Sequence, residues 1–142
     1  MRIYVVAAGK IKDRSLRAVA DDYLARIAHY GRIEEIETRD ESGLERAVPP
    51  GALLVALEVW GKQLSSEEFS TRLQKWTSTG KGEVAFLIGA AEGIPKALSE
   101  RASAHLSLSK MTLPHRLARV VLFEQVYRGF SILRGEPYAR EG

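Results

Sequence analysis

The chain has 142 residues, the size of one domain, with 45% hydrophobic and 27% charged residues. That balance supplies a real core and excludes long disordered stretches. Cysteine is absent, which excludes a disulfide framework, a thiolate nucleophile and a thiolate zinc site, and is compatible with a reducing cytoplasm.

The first apolar run, Arg2 to Ala7, is too short for a secretory signal core and reads as a buried strand. Leu16, Ala20, Tyr23, Leu24 and Ile27 then recur at helical spacing, with Gly31 as the stop. Ile33 to Glu37 is a short strand, and Glu41 to Val48 a brief helix broken by Pro49-Pro50-Gly51. Ala52 to Leu57 is a central strand, and Trp60-Gly61-Lys62 is expected to turn. Ser65 and Glu68 have capping-box spacing, and Phe69, Leu73 and Trp76 line one face of the helix they open. After Gly80-Lys81-Gly82, Val84 to Ile88 is a third buried strand that runs into Gly89-Ala90-Ala91-Glu92-Gly93. A short helix follows to about Ala102, then a strand from His105 to Ser109. The loop Thr112-Leu113-Pro114-His115 leads into the longest helix, His115 to Leu133, and a polar tail from Arg134 to Gly142.

Strands alternating with helices predict one α/β domain, residues 1–142, with a mostly parallel sheet. Ligands in such sheets sit beyond the carboxyl ends of strands, which points to the loops after Leu57, Ile88 and Ser109. The last helix is apolar nearly all round: Leu122, Val126, Phe130 and Leu133 form one stripe, with Leu117, Val120 and Val121 on another side. A homodimer interface is the natural reading, and burial within one chain the alternative.

Net charge is +3 and the isoelectric point about 9.3. Between Leu106 and Gly142, six cations (Lys110, Arg116, Arg119, Arg128, Arg134, Arg140) face three acids, an excess equal to that of the whole chain. A basic end of this kind is an RNA footprint or a solvated helical face. No apolar run approaches a membrane span, and His29, His105 and His115 lack ligand spacing, so neither a membrane nor a metal partner is expected. Phosphate-loop, dinucleotide and nucleophile-elbow motifs are missing.

Three motifs remain. Gly89 to Gly93 is a glycine-flanked turn after a buried strand, suited to close backbone approach. Leu108-Ser109-Lys110-Met111-Thr112-Leu113 can hold an adenine between apolar side chains and free amides, while His115 is read as the cap of its helix. Glu124 and Arg128 are an i,i+4 pair, and Tyr127-Arg128 with Pro137-Tyr138-Ala139-Arg140 interleaves aromatics with arginines, as a base-stacking, phosphate-gripping surface requires.

Taken in order, Leu87 to Gly93, Leu108 to His115, Arg119, Glu124, Tyr127-Arg128 and Pro137 to Arg140 resemble the ribosomal RNA large-subunit pseudouridine N3-methyltransferases, a family of SPOUT methyltransferases. The resemblance covers essentially the whole chain. It implies an α/β knot whose C-terminal segment threads through a loop. It implies S-adenosyl-L-methionine held by Leu57, Gly89, Gly93 and Leu108, Ser109, Lys110, Met111, Thr112 and Leu113. It also implies a cytoplasmic homodimer acting on a pseudouridine in helix 69 of 23S rRNA in the ribosome, with Glu124, Arg128, Tyr138 and Arg140 at the reacting base. Two motifs depart from the family pattern: in the turn Ala90 replaces a glycine, and in the tail Glu136 and Ala139 replace the two histidines. Two alternatives stay open, a SPOUT methyltransferase with another RNA target and a non-catalytic RNA-binding dimer.

Overall fold

Strands whose side chains are apolar on both faces must be covered on both faces, and this requirement sets the architecture. The computed structural model describes all residues from Met1 to Gly142. Its elements are β1 (Arg2–Ala8), α1 (Arg14–Ile27), β2 (Arg32–Thr38), α2 (Leu44–Ala47), β3 (Leu53–Gln63), α3 (Ser66–Ser78), β4 (Glu83–Ile88), α4 (Lys96–Arg101), β5 (Ala104–Ser107) and α5 (His115–Arg134). Short 3₁₀ turns span Glu41–Gly43 and Pro137–Arg140.

The five strands form one parallel sheet in the order β2-β1-β4-β3-β5. Alternate residues divide between two cores, as the two-residue strand period dictates. Ile3, Val5, Val55, Val84 and Phe86 face α1, α3 and α5, where they meet Phe69, Leu73, Phe123 and Val126. Val6, Ala8, Leu54, Ala56 and Leu87 face the other way and pack on Leu44 and Leu98 of the two short helices.

Local chemistry fixes the helix ends. Asp13 caps α1 by accepting from the Leu16 N–H at 2.8 Å. Ser65 and Glu68 form the full capping box of α3, and the Ser65 N–H holds the Glu68 carboxyl below its ordinary range. α5 ends at Gly135, whose φ of 64° lets the Glu136 N–H reach back to Ser131.

Four expectations change. The segment Trp60-Gly61-Lys62 is not a turn: β3 runs on to Gln63, and its pairing with β5 jumps from Leu57↔Leu106 to Lys62↔Leu106. Glu58 to Gly61 therefore bulge out of the sheet, which leaves Trp60 67% exposed. Gly61 permits this, because a Cβ there would lie 2.7 Å from the His105 carbonyl carbon. His115 does not cap α5; Pro114 occupies the cap, and the His115 Nδ1 is buried without a partner. The apolar girth of α5 is largely met inside the chain, since the helix lies against both α1 and α3, leaving Leu117 and Leu133 exposed. The polar tail docks on the helices, with Tyr138 bonded to Glu124 and Glu136 to Tyr30.

Arg119, expected on a basic face, is fully buried. Its guanidinium donates to Glu35 at 3.0 Å, to Glu37, and to the Gly9 carbonyl at 2.8 Å, while its Nε has no partner. Arg17 shares Glu35 at 2.6 Å, and Glu37 also takes the Ile11 N–H. Removing one partner of a buried ion pair strands the other charge. Arg119→Met should therefore destabilise the fold by about 3–5 kcal/mol in urea denaturation; a loss under about 1 kcal/mol would show that the network is dispensable.

Candidate active site

The carboxyl ends of β3, β4 and β5 open onto a cavity of about 520 Å³. Four segments wall it: Leu57 to Trp60, Ile88 to Ile94 without Glu92, Leu106 to His115 without Ser107 and Lys110, and Ala118 from α5. The lining is mainly apolar, and Glu58 is its one carboxylate; no lysine or arginine contributes.

Two glycines shape the β4 wall. Gly89 passes so close to the Gly93 backbone that a Cβ would collide with it. Gly93 has φ of 76° and faces open space, and its N–H returns to the Ala90 carbonyl at 2.9 Å. Ala90 itself has ordinary φ, so this departure from the family pattern introduces no backbone strain.

The β5 wall is a loop whose shape is fixed by serines. The Ser107 hydroxyl donates to the Ser109 carbonyl at 3.0 Å, and the Met111 N–H donates to the Ser109 hydroxyl at 2.9 Å. The backbone N–H groups of Thr112 and Leu113 have no intramolecular acceptor. Free amides beside apolar walls are what an adenine ring or a small polar ligand needs for orientation. Met111, 79% exposed, stands at the mouth. Burial, then the nearby Arg116 and Arg119 charges, lower the His115 pKa, so its ring is neutral at physiological pH.

Leu57, Gly89, Gly93, Leu108, Ser109, Met111, Thr112 and Leu113 all line this cavity, whereas the Lys110 side chain is exposed outside it. A second cluster forms elsewhere on α5. The Glu124 Oε2 accepts from Arg128 at 2.9–3.0 Å and from the Tyr138 hydroxyl at 2.8 Å. Arg128 also lies over the Tyr138 ring at 5.0 Å. Tyr23 adds its hydroxyl to that of Tyr138 at 3.2 Å. Burial first, then the bonds to Tyr23 and Glu124, raise the Tyr138 pKa, so the phenol is a donor and not a base. Arg140 sits exposed on the final 3₁₀ turn, in no ion pair. Sequence reasoning missed Glu58, Trp60, Ala118 and Tyr23, because a bulge and two helix faces carry them.

The comparisons with known proteins agree with this geometry. A family model described as "Predicted SPOUT methyltransferase" matches residues 1–139. The chain belongs to the SPOUT methyltransferase family. It is thus an enzyme of the methyltransferase class. A Sorangium cellulosum protein named ribosomal RNA large subunit methyltransferase H is 50% identical, over 98% of this chain and 99% of its own length. The protein of the same name from Acetivibrio thermocellus is 41% identical, over 99% of this chain and all of its own. The fold matches a probable methylase family protein from Haemophilus influenzae with TM-score 0.58 and 10% identity, over 94% of this chain and 66% of that one. It also matches the Aquifex aeolicus tRNA (m1G37) methyltransferase with TM-score 0.54 and 13% identity, over 90% and 69%. Helix α5 contributes to both places, with His115 and Ala118 at the cavity and Glu124 and Arg128 in the tail cluster. No helix is long and apolar enough to cross a membrane, and no group of three or more acids and histidines converges as metal ligands do.

The tail's docking can be read by titration. Burial and the bond to Glu136 push the Tyr30 pKa up to about 12. An unfolded tyrosine titrates near ~10. The native state therefore keeps this proton longer, so its stabilisation is complete below pH ~10 and is lost as the pH rises toward ~12. Tyr30→Phe should flatten the alkaline fall in stability, measured by urea unfolding at stepped pH; an unchanged slope would place that fall on other groups.

Proposed function

We propose that this protein is a ribosomal RNA methyltransferase that uses S-adenosyl-L-methionine to methylate N3 of a pseudouridine in helix 69 of 23S rRNA. The observation that carries the reading is the apolar cavity at the strand ends, with its free loop amides, in a chain 50% identical over nearly its whole length to a named ribosomal RNA methyltransferase. Its volume of about 520 Å³ lies within the range typical of small-ligand sites. Gly93 leaves open space where a side chain would intrude. The residues present therefore fit the cofactor, with Leu57, Gly89, Gly93 and the Leu108 to Leu113 loop around it. When bound, S-adenosyl-L-methionine supplies an activated methyl group, so the protein's task is chiefly positioning.

The tail cluster is the counterpart for the base. Glu124 holds Arg128 and the neutral Tyr138 in fixed geometry, and Arg140 is free to approach a phosphate or a developing anion. Along α5, Glu124 and Arg128 lie about 9–15 Å beyond Ala118, which lines the cavity, and on other sides of the helix. One chain therefore does not bring its own tail cluster to its own cavity. A homodimer resolves this, with each tail completing the partner's site. The threaded C-terminal path belongs to the same reading, as membership of the SPOUT family implies. The intracellular ribosome as substrate makes the cytoplasm the working compartment.

The test is methyl transfer to ribosomes that lack the modification. Wild-type protein should deliver one labelled methyl group to pseudouridine N3 in helix 69. Arg128→Ala should lower kcat by about 10²-fold while cofactor affinity, read by calorimetry, stays intact. Methyl incorporation at a different nucleotide, or none at all, would contradict the proposed target.

A further inference from the structure

Glu58 is the one formal charge in the cavity lining, and none of the roles assigned so far uses it. It sits on the β3 bulge with its side chain only 12% exposed. One carboxylate oxygen, Oε2, accepts from the Ser99 hydroxyl at 3.0 Å, and Ser99 is itself 8% exposed. His105 backs this arrangement: its Nε2 donates to the Ser99 carbonyl at 2.8 Å and lies 3.8 Å from Glu58 Oε2. The Trp60 ring packs on His105 with centroids 4.7 Å apart. The other oxygen, Oε1, has no intramolecular donor, and no lysine or arginine pairs with the carboxylate. A nearly buried carboxylate whose only partners are one hydroxyl and an imidazole is favoured by a positive ligand in the cavity.

We propose that Glu58 selects the cationic methyl donor over its neutral product. The inference rests on the reading that this cavity holds S-adenosyl-L-methionine. That molecule carries a sulfonium, an ammonium and a carboxylate, for a net charge of +1. After methyl transfer the sulfonium becomes a thioether and S-adenosylhomocysteine has no net charge. A carboxylate held in a poorly solvated wall acts on this difference even without direct contact, because the Coulomb interaction in such a setting exceeds its value in water several-fold. The ribose and adenine are the same in both molecules, so apolar walls and loop amides cannot tell them apart. Glu58 therefore supplies the discrimination that lets product leave after each turnover. Ser99 and His105 are positioning residues that hold the carboxylate toward the cavity.

Calorimetry at pH 8, above the imidazole range, tests this with three ligands: S-adenosyl-L-methionine, S-adenosylhomocysteine, and the analogue in which a protonated amine replaces the sulfonium. Glu58→Gln keeps an oxygen for Ser99 and removes the charge. It should weaken both cationic ligands by ~10-fold and change S-adenosylhomocysteine by less than about twofold. Glu58→Asp should keep the wild-type preference. Equal weakening of all three ligands, or none, overturns the proposal and leaves the donor reading standing. Should Glu58→Gln fail to fold, wild-type protein decides: the amine analogue must bind more tightly than S-adenosylhomocysteine, and equal affinity overturns the proposal. If wild-type protein binds none of the three, the donor reading itself fails and Glu58's role with it.

Discussion

A single buried guanidinium sets where the rest of the site can be. Arg119 lies near the start of α5 and joins it to Gly9 at the end of β1 and to Glu35 and Glu37 on β2. These contacts fix the first turns of the longest helix over the carboxyl edge of the sheet. The loop before that helix must then span from β5 to a fixed point, and this places Leu108 to Leu113 across the cavity from Leu57 and Gly89. The charge is expensive to bury, and it is retained with two carboxylates, a carbonyl and Arg17 around it. Its value is positional: an apolar residue could fill the volume, but it would not specify the angle at which α5 leaves the sheet.

The same helix separates two chemical tasks. Its beginning closes a pocket suited to a cofactor, and its later turns carry the Glu124, Arg128 and Tyr138 cluster. A rigid rod cannot fold back to unite them. Docking the tail on Tyr23 and Tyr30 reinforces the separation, because the 3₁₀ turn at Pro137–Arg140 is tied to α1 and α5 rather than to the cavity. For the proposed reaction, the geometry that makes each half precise within one chain also calls for a second chain. Family membership is consistent with this, but the separation along α5 is what makes the dimer a physical requirement of the proposed reaction.

The strands and the long helices were legible in the sequence: β1, β3 and β4 as short continuous apolar runs, as strands covered on both faces must be, and α1, α3 and α5 by an apolar period of about 3.6. The loops that wall the cavity were legible as glycine-flanked and apolar segments at strand ends. Tertiary context decided the rest. Gly61 looks like a turn residue, yet it serves a close crossing over β5 that no local signal encodes. Arg119 reads as a surface cation because its acid partners are more than 80 residues away. His115 reads as a cap until Pro114 is seen to hold that position. Glu58 was invisible because a bulge, not a motif, turns it into the cavity.

The central claim is that cavity and tail cluster work together across two chains, and mixing two disabled variants tests it most directly. One variant plugs the cavity with Ala91→Trp, at an exposed lining position. The other lacks the tail function through Arg128→Ala and Arg140→Ala. Each alone should be inactive on ribosomes. After dissociation and random reassociation at equal amounts, half of the dimers are mixed and each holds one intact composite site, so about a quarter of wild-type activity should return. No recovery on mixing, with mixed dimers demonstrated by mass spectrometry, would contradict the account and place both halves of the reaction within one chain.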